Sequence, residues 1–176
     1  MATLVTKAKE ILIGVWDGDT APTSATSLTK VIADTLSVTQ DDADSQEFEF
    51  ETTDTKEVFY TAGSYQVELN NAEISQEYMT TIMGWESVTS PVKGVVSPET
   101  YATRYVALQV KFADDFYLYL PKISIAPKLV FESIKTNLAY GTLTGTASNS
   151  EVGGKTTSIG VFEKPMLTTT GGVVTK

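Results

Sequence analysis

Between Ser64 and Trp85 the chain reads SYQVELNNAEISQEYMTTIMGW, and its hydrophobic period changes within a few residues. Tyr65, Val67 and Leu69 alternate with polar residues, the two-residue period of a half-buried strand. From Ile74 onward the apolar positions are Ile74, Tyr78, Met79, Ile82 and Met83, which is one stripe of a short amphipathic helix. Asn70 or Asn71 is placed to cap its first turn, Glu73 and Glu77 sit near the positive end of its dipole, and Gly84 suits a left-handed stop. Elsewhere Thr, Val, Ile and Tyr dominate, as in strands. The pattern predicts a mainly β domain, sandwich or barrel-like, with one short flanking helix that must pack on a sheet.

Lys9–Trp16 reads as a first strand, with Ile11, Ile13 and Val15 on one face and Leu12 and Trp16 on the other. Asp17–Ser27 is turn chemistry. Leu28–Thr39 fits either strand or a helical turn, with a strand expected over Thr35–Gln40. The acidic loop Asp41, Asp42, Asp44 leads into Gln46–Glu51 (QEFEFE), a strand with phenylalanines on one face and glutamates on the other. After a turn at Thr52–Thr55, strands are expected at Lys56–Thr61 and Ser64–Leu69. Glu86–Thr103, with Pro91 and Pro98, reads mainly as an extended loop with a candidate short strand at Val92–Val96. Arg104–Phe112 alternates strictly, and Asp114-Asp115 turns it into Phe116–Leu120. Pro121 ends that strand or marks an edge, Ile123 and Ile125 continue it, Pro127 breaks it, and Leu129–Ile134 resumes it. Leu138–Thr146 is a Thr/Gly-rich strand, Ser148–Thr156 a flexible loop, and Ser158–Lys164 a last short strand. A single domain over residues 1–176 is expected, with flexible arms at about residues 1–8 and 165–176.

The 176 residues suffice for a real core, and 41% are hydrophobic. No apolar run approaches the ~20 residues of a membrane span. The run Ile11–Trp16 is too short for the apolar part of a signal peptide, so synthesis in the cytoplasm without export is expected. Cys and His are both absent, which removes disulfides, thiolate ligands and the commonest general base and metal ligand. A net charge of −9 argues against direct nucleic-acid binding, which needs a basic stripe over the phosphates. It is compatible with a surface that DNA passes without sticking.

Few side-chain groupings point to chemistry. Asp17-Gly18-Asp19 and the Asp41–Asp44 cluster lack the full oxygen set of a calcium loop and read as solvated turns. Glu47, Glu49 and Glu51 lie ~7 Å apart along a strand, within reach of paired-carboxylate catalysis, but such pairs flank a cleft rather than line one strand. Gly154-Lys155-Thr156 ends like a P-loop, yet Asn149 stands where its first glycine is required. Tyr101, Tyr105, Tyr117 and Tyr119 would suit base stacking, but strand aromatics without clustered arginines read as core or interface. No catalytic constellation, metal site or cofactor site emerges, so the expectation is a structural protein and not an enzyme.

In order, these elements resemble the major tail (tail tube) proteins of long-tailed bacteriophages. The resemblance rests on the acidic loop with its QEFEFE strand, the strand and helix of NAEISQEYMTTIMGW, a hairpin, the IAPKLVFE strand and LAYGTLTGTA, covering Gln46–Ala147. It implies a virion protein, made in the host cytoplasm, that forms hexameric rings stacked into a tube through which phage DNA passes. Implied partners are further copies of the chain, tape-measure and tail terminator proteins, and a sheath if the tail contracts; no membrane is implied. Glu47, Glu49 and Glu51 are then lumen candidates, repelling phosphates over about 8 Å at physiological salt. Phe59 and Tyr105 are interface candidates. Thr52–Thr55, Glu86–Thr103 and Met1–Lys7 are candidates for ring stacking. The alternatives are another β-rich phage structural protein (tail terminator, head–tail joining or decoration protein) or a carbohydrate-binding or adhesin module.

Overall fold

The computed structural model describes residues 8–169 except 33, 51–52, 73, 113–115 and 134–137, and the backbone alone at 47–50, 53–57, 59–60, 131–133 and 138. The chain is mainly β. In order its elements are β1 (Ala8–Val15), β2 (Ser24–Ser27), β3 (Ser37–Gln40), β4 (Asp44–Phe50), β5 (Thr53–Thr61), β6 (Tyr65–Asn71), α1 (Gln76–Thr81), β7 (Glu86–Val88) and β8 (Gly94–Val96). There follow β9 (Arg104–Phe112), β10 (Tyr117–Ser133), β11 (Leu138–Ser148), β12 (Ser150–Val152), β13 (Lys155–Thr157), β14 (Gly160–Phe162) and β15 (Thr168–Thr169).

One nine-stranded sheet runs β15-β2-β1-β9-β10-β11-β6-β3, with β14 on the first part of β10. β10 is long enough to serve two neighbourhoods. Tyr117–Leu120 lies between β9 and β14, and from Lys122 it pairs with β11. Its register with β9 slips between Leu120 and Ile123, around the buried Pro121, and a bulge of this kind bends a strand. The sheet therefore turns back over itself. Ile13, Val106 and Leu108 on one side meet Val67, Leu69 and Leu143 on the other in a single core. Pro127 sits beyond the last β9 partner of β10, Ile125, where a missing N–H removes no bond to β9. The strand expected to break at Pro127 thus continues.

Helix α1 closes one end of this core. Its cap is Ser75, whose hydroxyl accepts from the Tyr78 N–H; Asn70 and Asn71 instead complete β6, because both are still paired with β11. Tyr78, Ile82 and Met83 are buried, each worth about 2 kcal/mol of apolar burial. Gly84 adopts φ 77°, as a left-handed stop requires. No basic residue lies in the last turn. Arg104, the one arginine in the sequence, takes that place from β9, donating to the carbonyls of Thr81 at 2.7 Å and Thr80 at 3.3 Å. A cation there complements the negative helix end, and its guanidinium packs where a Cβ on Gly84 would stand. Burial pushes the Tyr78 hydroxyl up to about 12, with the Asn71 amide pulling slightly the other way.

The other face of the sheet carries a smaller core of Leu12, Ala25, Ala107, Tyr119 and Leu167. Leu167 belongs to the C-terminal strap, which crosses this face instead of standing free. Gln109, buried in mid-strand, accepts from the N–H groups of Met166 at 2.6 Å and Leu167 at 2.9 Å and donates to the Leu167 carbonyl at 3.3 Å. An amide supplies both a donor and an acceptor, so Gln109 pairs with the strap much as a strand would. Thr168–Thr169 then adds to β2 in parallel.

Segments expected as loops also pair. β7 and β8 form a hairpin around Ser90-Pro91, and β12 and β13 form another around Gly153 and Gly154. β2 occupies the end of the stretch expected as a turn. Gly153 and Gly154 both have positive φ, the geometry of a two-residue hairpin turn; this is the structure of the Gly-Gly-Lys-Thr motif. Gln109→Leu is expected to lower unfolding free energy by about 2 kcal/mol, through three lost bonds to a buried strap. Urea denaturation would show the lower midpoint, and limited proteolysis after Glu163–Pro165 would show strap release.

Candidate functional site: open edges and a projecting hairpin

The features open to a partner are backbone edges. β3 and β6 pair through Gln40↔Tyr65, and β4 and β5 resume the same hairpin from Asp44↔Thr61. The four strands thus make one long hairpin. Beyond the joint, β4 and β5 pair, among the described residues, with each other alone and reach roughly 25 Å at strand rise. The joint is pinned. Asp41 N–H donates to the Ser64 carbonyl at 2.8 Å, and Ser64 Oγ and Gln66 Nε2 both donate to the Asp41 carboxylate. Those two bonds hold the Asp41 pKa below its ordinary 3.8. Gly63 is required here because a Cβ would overlap the Asp41 carbonyl.

A second hairpin overhangs the sheet. β9 ends its pairing with β10 at Ile125↔Arg104, and β6 ends its pairing with β11 at Asn71↔Gly141, yet β10 and β11 continue together to Ser133↔Leu138. Among the described residues, the edge of β10 from Ala126 onward and the outer edge of β3 therefore face no other strand. They bound the two sides of one wall, β3-β6-β11-β10. Edges of this length invite pairing with another chain.

The residues singled out from sequence fall on different parts of this frame. Glu47 and Glu49 lie on β4, opposite Val58 and Lys56; Glu51 lies outside the described residues, as do Met1–Lys7. Phe59 is on β5 opposite Gln46. Tyr105 is on β9 opposite Ser124, so the two interface candidates share neither strand nor sheet. Tyr105 is half-buried and flanks Lys122, whose Nζ lies 4.5 Å from its ring centroid and 4.7 Å from that of Trp16. Trp16 in turn donates to the Pro121 carbonyl at 2.8 Å. This cation stack clasps the bend in β10.

The four tyrosines do not form a platform. Tyr119 is buried edge-on to Phe162, Tyr117 stands under Lys111, and Tyr101 lies on the loop after β8, bonded to Ser97. Asp17 and Thr20 bracket a tight turn. Among the described residues no three His, Cys, Asp or Glu side chains are grouped to hold a metal, and no helix is long and apolar enough to cross a membrane. Arg104, Gln109, Lys122 and Gly63, all of which shape these surfaces, were not singled out by sequence reasoning. Gln109 left one trace there, a neutral amide inside the apolar run VALQV.

No family model and no curated protein matches the chain. Among solved structures it is similar to a chain of the sheath–tube complex of an extracellular contractile injection system (PVC) in the extended state. That match has 9% identity over 86% of this chain and 87% of the other, with a TM-score of 0.43. It is also similar to a chain of the sheath/tube terminator of that system in the extended state, at 8% identity over 88% and 94% of the two chains, with a TM-score of 0.44. Such identities and scores carry no assignment.

Because the Asp41 pKa is lowered on folding, its stabilisation is present above 3.8 and lost as pH falls through the lower folded value. The protection of the Asp41 amide, its exchange rate relative to that of the free peptide at the same pH, should therefore hold down to about 3.8 and decline below it. Asp41→Asn should remove that pH step.

Proposed function

We propose that the protein is the repeating subunit of a tail-type tube, closing into rings that stack around a lumen. The observation that carries this reading is the pair of open edges on opposite sides of one wall, β3 on one side and the overhanging β10 on the other. Two different edges make a head-to-tail contact, and head-to-tail contacts close into rings or run on as filaments. Joining the β3 edge of one copy to the β10 edge of the next would extend the wall and satisfy the unpaired backbone groups of both. The sequence resemblance to phage tail tube proteins supports six copies per ring.

Under this reading the wall turns its uncovered face to the lumen, since its other face is the core. The hairpin β4–β5 reaches toward the next ring, carrying Glu47, Glu49 and Glu51 as acidic lumen residues and Phe59 as a ring-contact residue. Tyr105 supports the interface by holding the bend that sets the direction of β10. The proposed location is the virion tail, with tape-measure and terminator proteins as partners, a sheath in a contractile tail, and phage DNA as the passing cargo.

Electron microscopy of the concentrated protein tests this directly: hollow tubes of uniform width are expected. A monomer that persists at every concentration would overturn the reading, and single rings that never lengthen would favour a terminator or joining role. Phe59→Asp should reduce tube yield at least about tenfold, as expected for a charge placed in a buried contact, and Tyr105→Asp should reduce it by loosening the Lys122 stack that holds the bend of β10. Circular dichroism would confirm that both variants remain folded.

A further inference from the structure

The long hairpin is interrupted without a change of register. Gln40 faces Tyr65 where β3 and β6 stop pairing, and Asp44 faces Thr61 where β4 and β5 begin. The same one-to-one register therefore runs straight through the gap, with Asp41 set opposite Ser64, Asp42 opposite Gly63 and Ala43 opposite Ala62. None of these six residues belongs to a strand. An interruption that corrected the register would leave an extra residue on one side, and this one leaves the count even. The small residues Ala43, Ala62 and Gly63 supply no bulky cross-strand pair to stiffen the ribbon. Short segments of this kind absorb the dihedral change of a hinge.

On the wall side of the gap, side chains replace the lost ladder. The Asp41 carboxylate accepts from Ser64 Oγ and from Gln66 Nε2, the latter at 3.0 Å, and Gln66 Nε2 also donates to Ser64 Oγ at 3.3 Å. The other end of the same amide, Gln66 Oε1, accepts from Thr146 Oγ1 of β11 at 2.8 Å. The relay Thr146–Gln66–Asp41–Ser64 thus ties the base of the hairpin to a strand two places into the wall. Its bonds to Asp41 are exposed, and exposed hydrogen bonds compete with water and hold weakly one by one.

We propose that the gap is a latched hinge. Asp41, Ser64, Gln66 and Thr146 hold the β4–β5 hairpin in one direction, and when they part the hairpin swings as one ribbon about residues 42–43 and 62–63. The four are positioning residues, and their exposed bonds set a direction that a docking partner can change. At strand rise Val58 lies about 17 Å beyond Gly63, so a swing of about 20° carries it about 6 Å. The inference concerns the free chain and stands apart from the tube reading.

The sequence has no cysteine, so spin labels can be placed in chosen pairs. Val58→Cys with Ala126→Cys spans hairpin and wall at two exposed positions, and Ser45→Cys with Val58→Cys lies within the hairpin. In dilute protein of otherwise natural sequence, pulsed electron resonance should give a narrow distance distribution for both pairs. Asp41→Ala should widen the hairpin-to-wall distribution at least about twofold, as a freed hinge requires, and leave the distribution within the hairpin unchanged. Asp41→Asn, which keeps an acceptor, should retain the natural width. Circular dichroism checks the fold of each variant, and Ser64→Ala, which removes one hydroxyl, carries the same comparison where Asp41→Ala does not fold. A hairpin-to-wall distribution equally narrow with and without the latch, or already broad with it, would overturn the proposal. So would widening within the hairpin, because the strands would then be separating instead of swinging together. All of these readings come from the free chain, so none of them bears on whether it forms tubes.

Discussion

The bend of β10 around Pro121 governs the rest of the molecule. A flat nine-stranded sheet would leave an apolar face in water. By slipping register between Leu120 and Ile123, β10 passes from a sheet containing β1 and β9 into a wall containing β11, β6 and β3, and the two enclose one core. Sequence-distant polar contacts hold that geometry. Trp16 bonds to the Pro121 carbonyl, and the Lys122 ammonium lies between the rings of Trp16 and Tyr105. Each such contact is worth about 1 kcal/mol, comparable to a modest core change, and together they fix the angle at which the second half leaves the first.

The same bend leaves work for two closures. On the inner side α1 plugs the open end, tied through Arg104 because its own last turn carries no cation. On the outer side the strap covers Leu12, Ala107 and Tyr119, with Gln109 standing in for the strand that is missing there. Both devices use one polar side chain to bond backbone groups of a segment packed on the sheet. Glycine permits the close approaches in the wall. A Cβ on Gly145 would press into the Ser124 carbonyl, and one on Gly141 would meet the Tyr78 ring. This explains a Gly-rich strand in the middle of a sheet, where glycine otherwise weakens pairing.

What the fold leaves unclosed is as informative as what it closes. β2, one border of the sheet, is covered by the strap, but among the described residues no strand covers β3 or the far half of β10. The long hairpin leaves the wall at a joint pinned by Asp41, Ser64 and Gln66, so its direction is set before any partner arrives. Two uncovered borders on one wall and a projecting hairpin leave backbone groups available for pairing, which is the ground of the proposed ring assembly.

Much of this was legible in one dimension. The alternation in Arg104–Phe112 defined β9 at both ends, and the stripe through Tyr78, Ile82 and Met83 placed a helix and its buried face. Both are local periodicities, and burial enforces them wherever the element finally sits. The cap at Ser75, the continuity of β10 through Pro127, the pairing of the candidate strand at Val92–Val96 with Glu86–Val88 and the hairpin strand at Lys155–Thr157 were not legible, because each depends on whether a neighbouring strand is present. Pro127 is tolerated because β9 has already ended, and Asn71 belongs to β6 because Gly141 lies beside it. The order of residues alone thus determined which segments carry an apolar side, that those segments are mostly strands, and that metal or thiol chemistry lacks its usual ligands. Tertiary structure alone decided which borders stay open and which single side chains, Arg104 and Gln109, close the others, since hydrogen bonding between residues tens of positions apart leaves almost no local pattern in a sequence.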